Sequence, residues 1–336
     1  MGKERVAKWD NVKFVLIGFV VIGHMIAAYV TKSVGIKSLY LFIYTFHMPA
    51  FIIISGMMMK NTIKNKRYEK LFTYLTMGVF IKLSQFAVKW FVLGKHKLNF
   101  FDVDDVSWYA FAIFVFALVT MYLQRFSPIY IMLLSLAMAL AIGYDSHVGT
   151  YLTLSRIFVF YPFFFAGFCL DRDKLLEFGK KPVNKALAGV VIVVVAIVII
   201  LKHDAVYQFL PLLKGKSSYN SLDELRSWGV FLRLAAYTVM FLMSFAVIII
   251  IPNIKSFITT LGSRTLSVYA LHFALIYILR DGVNMTALFK RISPEHYMYL
   301  SIVLAIAILF VTALKPVHIA VSKLINPTLL KTEEKE

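Results

Sequence analysis

The chain has 336 residues, 60% of them hydrophobic and 16% charged, with a mean hydropathy of +0.76. Soluble domains hold about 45–50% apolar residues, so a water-exposed globular fold is excluded for most of the sequence. The net charge of +18 is spread over many short connections rather than gathered on one soluble face, which argues against a nucleic-acid partner and for basic residues held at a bilayer surface.

In chain order, apolar runs of about the length that spans a bilayer core alternate with charged connections. They cover Val12–Val30, Leu39–Met59, Leu71–Leu93, Trp108–Leu123, Pro128–Gly143, Arg156–Leu170, Ala186–Leu201, Gly229–Ile251, Thr265–Leu279 and Tyr297–Leu314. The first has no small-residue cleavage pattern and reads as a retained span rather than a signal peptide. Several runs are rich in Phe and β-branched residues, a strand signal in water. In lipid an isolated strand leaves its backbone unpaired, so helix is expected throughout. The resulting fold class is all-α, a polytopic transmembrane bundle of about ten helices. One membrane domain is expected over residues 1–330 and a polar tail over 331–336. The single cysteine, Cys169, can form no internal disulfide, which leaves packing to hold the fold.

With the N-terminus inside, 21 Lys and Arg fall in inner segments and 12 in outer ones, while Lys82, Lys89 and Arg233 lie within spans. That bias predicts both termini on the cytoplasmic side. The long outer segments Gly94–Ser107 and Lys202–Trp228 are then the expected meeting places for an extracytoplasmic partner.

Ionisable side chains within spans are costly and each is a functional candidate. His24 stands eleven residues after Lys13, roughly 17 Å along a helix, with nothing else polar over Phe14–Gly23. His47 lies in the next, antiparallel span. Counted from the outer ends the two histidines are roughly 9 Å and 12 Å deep, one shared layer. The plain alternative for His24 is an interhelical hydrogen bond. For His47, beside Pro49, it is the satisfaction of a freed carbonyl. A neutral imidazole also offers a nitrogen that can take a proton from a hydroxyl.

Lys82, Gln85 and Lys89 share one helix face, either a solvated seam or a ligand stripe. Arg156 and Arg233 sit near outer span ends, where they either snorkel or anchor an anionic substrate. The dense cluster Lys60–Lys70 either sets topology or meets donor phosphates. No His, Cys or carboxylate pair stands at ligand spacing on one helix, so no metal is expected. There is also no phosphate-cradling glycine loop and no nucleophile elbow.

Trp9-Asp10-Asn11-Val12-Lys13, followed by an apolar run to Gly23-His24, resembles the opening of the acyltransferase-3 family, especially its fucose 4-O-acetylase-like branch, with Lys13 where that family has arginine. Phe46-His47-Met48-Pro49-Ala50-Phe51 with Ser55-Gly56 is similar to the family's second-span signature. Arg67-Tyr68-Glu69-Lys70 resembles its basic pair, again with one lysine substituted. Further matches follow in family order: Ser107-Trp108-Tyr109, Arg156 with Tyr161-Pro162-Phe163-Phe164 and Gly167, and Leu261 through His272.

The resemblance implies transfer of an acyl group, usually acetyl, from acetyl-CoA to a hydroxyl of a cell-envelope glycan or its polyprenyl-linked precursor, in the bacterial cytoplasmic membrane. His24 would be catalytic, as general base or as a covalent acyl-imidazole. Lys13, Arg67, Lys70, Trp108 and His272 would serve the donor. His47, Lys82, Arg156 and Asp10 would serve the acceptor. His272, about eight residues in from the inner end of its span, is expected nearer the donor side than His24. Replacing arginine with lysine keeps charge but loses the bidentate fork. A transporter or flippase, or a catalytically silent membrane sensor, are the rival readings, and homo-oligomerisation is left open.

Overall fold

A computed structural model describes residues 6–94, 97–289 and 291–326. The expected polar tail 331–336 lies outside the described residues. In order, α1 (Ala7–Ile26), α2 (Val34–Tyr44), α3 (His47–Lys64), α4 (Tyr68–Leu93), α5 (Trp108–Leu123), α6 (Pro128–Ala141) and α7 (Leu154–Cys169) precede the short α8 (Arg172–Lys180). After α9 (Pro182–Leu201) come α10 (His203–Tyr207), α11 (Leu210–Lys214) and a 3-10 stretch over Tyr219–Trp228. Then follow α12 (Gly229–Ile250), α13 (Phe257–Gly262), α14 (Thr265–Tyr277), α15 (Met285–Phe289), α16 (Pro294–Thr312) and α17 (Lys315–Ile325). The fold is an all-α helical bundle.

Every one of the expected apolar runs is helical, but not every run is a full-length span. Among the described residues, five segments are long and apolar enough to cross a membrane: Ala7–Tyr29, Val34–Lys64, Tyr68–Val92, Pro182–Leu201 and Tyr219–Ile250. The pair α7 and α8 is bent by 86°, and the final helices α16 and α17 by 67°; counting each pair as one span brings the total to seven. Helices α5 and α6 are shorter.

Local chemistry sets several helix ends. The Ser33 hydroxyl accepts from the Ile36 amide at 3.1 Å and starts α2, and Asp171 caps α8 in the same way. Gly94, at φ +62°, closes α4 in a left-handed conformation that costs glycine little. The second apolar run is not continuous. It breaks between α2 and α3, and His47 opens α3 rather than standing mid-span. Pro49 lies in the first turn of α3, where a missing N–H breaks no ladder.

Two glycines seat α3 directly on α7. A Cβ on Gly56 would stand 2.1 Å from the Phe164 carbonyl oxygen, and one on Gly167 would stand 2.0 Å from that of Ile53. One apolar core gathers side chains from the N-terminal half of α1 with α3, α5, α7 and α12, and a second gathers them from the rest of α1 with α2 and α16. Phe19, Met48, Phe51 and Tyr269 touch both, and the cavities described next open along that seam. The outer flank of α9 (Val190, Val193, Val194, Ile197) is exposed, an apolar face suited to lipid.

Candidate functional site

His24 lies in the last turn of α1 and is half-buried. It lines two cavities at once. The first, about 360 Å³, runs from His24 toward the end of the bundle that carries Lys13, Met58, Ser263 and Thr265, past Ile17, Val20, Phe51 and Met77. Its lining is mostly apolar. The second, about 200 Å³, runs toward the opposite end and is walled by Tyr40, Tyr44, His47, Asp104, Arg156 and Lys214 among others. His24, Met48, Val106 and Trp108 line both and so form the partition between them.

The partition is held from behind by α14. The His272 ring centroid is 5.4 Å from that of His24, and Phe273 meets His24 edge-on at 5.0 Å. His272 Nδ1 lies 3.0 Å from the carbonyl oxygens of Val268 and Tyr269. Carbonyls only accept, so Nδ1 carries the proton and Nε2 is the bare nitrogen of the neutral ring. That Nε2 is buried and has no hydrogen-bond partner among the described residues.

The second cavity is walled by charge. Asp104 is held by Arg156 at 3.2 Å and by Lys216 at 2.7 Å, and Lys82 meets Asp105 at 2.8 Å. Lys82 also donates to the carbonyl of Asp102, and Asp105 accepts from the Ser107 amide. The connection between α4 and α5 is thereby tied to α4 and α7 together. The Arg156 guanidinium also lies 5.0 Å from the Trp108 ring centre, which orients the indole in the partition. In the first cavity the Ser55 hydroxyl donates to the Phe51 carbonyl at 2.7 Å, so Tyr109 is the donor in the 2.6 Å contact between them.

A family profile described as "Acyltransferase domain" matches residues 6–315. The chain belongs to the acyltransferase-3 family. No curated protein and no solved structure matches it. It is accordingly a multi-pass membrane acyltransferase.

Of the residues expected to serve this acyltransferase, the structure brings His24, Lys13 and Trp108 onto the first cavity and His24, His47, Trp108 and Arg156 onto the second. Five do not reach either lining, His272 among them. Arg67 and Lys70 are exposed at the start of α4. Asp10 is buried and paired with Lys13 at 2.7 Å, so it steadies that ammonium one turn away. Lys82 holds the connection between α4 and α5 rather than the cavity. His272, expected nearer the donor side than His24, packs against it ring to ring because the bundle sets α14 beside the C-terminal turn of α1. Arg233, expected to snorkel or bind substrate, is 1% exposed and donates to the carbonyls of Ala139 and Ser217. The capping alternative for His47 is present in the structure, since its Nδ1–H donates to Ile43 O at 2.8 Å where α2 breaks.

Sequence reasoning missed Tyr40, Tyr44, Ser55, Asp104, Tyr109, Lys214 and Tyr269 on the walls. For Asp104 and Lys214 a signal existed, because both lie in the two long outer segments singled out from the charge bias. Tyr40 and Tyr44 carried none, as aromatic residues are common throughout these spans, whereas Ser55, Tyr109 and Tyr269 stood within the stretches that carry the family resemblance. Among the described residues no group of three His, Cys, Asp or Glu side chains could hold a metal ion.

Proposed function

We propose that the protein transfers an acetyl group from acetyl-CoA to a hydroxyl of a cell-envelope glycan or its lipid-linked precursor, with His24 as general base. The observation carrying this reading is the partition itself: one imidazole faces an apolar cavity on one side and a charged, aromatic-walled cavity on the other. A thioester acyl group suits the first and a sugar the second. The N-terminal end, with Lys13 inside the cavity and Arg67 and Lys70 on its exterior, is the donor side and faces the cytoplasm of a bacterial inner membrane.

In the reaction, His24 removes the proton from the acceptor hydroxyl as its oxygen attacks the thioester carbonyl carbon. The carbon–sulfur bond then breaks, and the imidazolium returns its proton to the departing thiolate. Ester and free CoA result, and no proton is left over. His272 acts behind His24: its bare Nε2 accepts the N–H that His24 turns away from the substrate, leaving the other His24 nitrogen free as base. The two ring centres are close enough for that bond after a small reorientation.

Purified protein with acetyl-CoA and an envelope-glycan extract should release CoA thiol and form alkali-labile ester. His24→Asn should lose about a hundredfold or more of that rate while retaining a cooperative thermal transition. Full turnover in a folded His24→Asn protein would remove the histidine from the chemistry.

A further inference from the structure

The cations of the second cavity outnumber their carboxylates. Arg156 and Lys216 share Asp104, Lys82 engages Asp105 from behind the lining, and Arg280, on the wall, is paired with Asp281 at 2.8 Å. Lys214 is left over. Among the described residues no carboxylate stands within ion-pair distance of it. Its ammonium lies instead over two rings, 5.4 Å from the centre of Tyr40 and 5.6 Å from that of Tyr44. Those rings contact each other at 4.3 Å and form a single aromatic wall.

Burial holds the Lys214 ammonium below the ordinary lysine range; neighbouring Lys216 lowers it further, Asp104 offsets part of the effect, and Arg156 adds to it. A charge kept in such a place gains most from an anion brought by a ligand. The site is also open to a larger ligand. Lys214 and Lys216 line both the His24 cavity and a broader groove of about 620 Å³ that continues past Ser217 and Ser221. Asp223 and Glu224 lie on that groove's wall and pair with neither lysine among the described residues.

We infer that the acceptor is an acidic saccharide, with its carboxylate or phosphate on Lys214 and its sugar ring against Tyr40 and Tyr44. Aromatic faces take the apolar face of a sugar, and the ammonium selects the charged one. A neutral sugar of the same size leaves the half-buried Lys214 without a counter-ion. The inference rests on reading the second cavity as the acceptor side.

The test uses the full chain in detergent and three probes: methyl glucoside, methyl glucuronide and glucose 6-phosphate. Binding is followed by ligand-dependent thermal stabilisation. At least one anionic probe should bind about tenfold more tightly than methyl glucoside, and the stronger of the two names the anion. Lys214→Met should erase that advantage and Lys214→Arg should keep it. Equal binding of all three probes, binding of none, or an advantage that survives Lys214→Met each overturns the inference. Acetyl-CoA thioester loss in membranes carrying the native acceptor is measured in parallel for wild type and His24→Asn. If that loss depends on His24 while the probes bind equally, only the acidic acceptor falls. If it does not, the role of His24 falls whatever the probes do.

Discussion

A buried imidazole nitrogen with no partner is expensive to keep, and His272 keeps one 5.4 Å, ring to ring, from the residue proposed as base. If Nε2 fixes the tautomer of His24, its loss should lower kcat with little change in KM for acetyl-CoA. His272→Leu is expected to fall about tenfold or more, as loss of an orienting partner does. His272→Gln, whose amide oxygen reaches the Nε2 position, should recover part of that rate. Two folded variants with equal rates would assign His272 to packing alone. At this scale the sequence was informative where cost was the signal. His24 and His47 were legible because polar atoms are rare in those runs. That His272 would stand against His24 was not legible, because a residue count along one helix says nothing of the vertical offset between helices. Asp10 and Lys82 were legible as unusual, but whether a buried charge meets substrate or a neighbouring side chain depends on packing that spacing does not encode.

At the scale of elements, the contact of α3 with α7 depends on two missing side chains. Gly167→Ala would bring a Cβ to 2.0 Å from the Ile53 carbonyl oxygen. Backbone cannot yield as a flexible side chain would, so destabilisation of about 2 kcal/mol or more is expected. Gly189, inside α9, has nothing within 4 Å of its ideal Cβ, so Gly189→Ala should be neutral or stabilising by about 0.5–1 kcal/mol. Thermal midpoints of the two variants in one detergent separate the cases, and similar shifts would show that the glycine seam is not tight. Helices were the most legible level, because lipid leaves a backbone no economical alternative. The break between α2 and α3 was not legible. Pro49 suggested a kink inside one span, whereas the chain turns at Thr45–Phe46 and uses proline in the following first turn.

Across the whole molecule, two cavities that meet at one residue predict opposite access. In a Cys169→Ser background, Met58→Cys and Lys216→Cys should react with a membrane-impermeant thiol reagent from opposite sides of sealed vesicles. Labelling of both from one side would contradict the arrangement and the orientation expected from the positive charges. The charge bias had already marked the segments Gly94–Ser107 and Lys202–Trp228, and these supply Asp104, Asp105, Lys214 and Lys216 to the second cavity. Which of their residues would turn inward was beyond a sequence reading, because Asp104 is positioned by Arg156 and Lys216, each more than fifty residues away along the chain.

The cavities lie along the seam between two apolar cores, with Phe19, Met48, Phe51 and Tyr269 touching both. A ligand bound there is a cross-brace. Its binding energy adds to the cohesion of two cores that α1 already joins, so occupancy should raise the temperature at which they melt. Catalytic competence and thermal resilience therefore depend on different parts of this protein. Substitutions deep in either core weaken that core, while substitutions at the seam alter how firmly the two grip what lies between them.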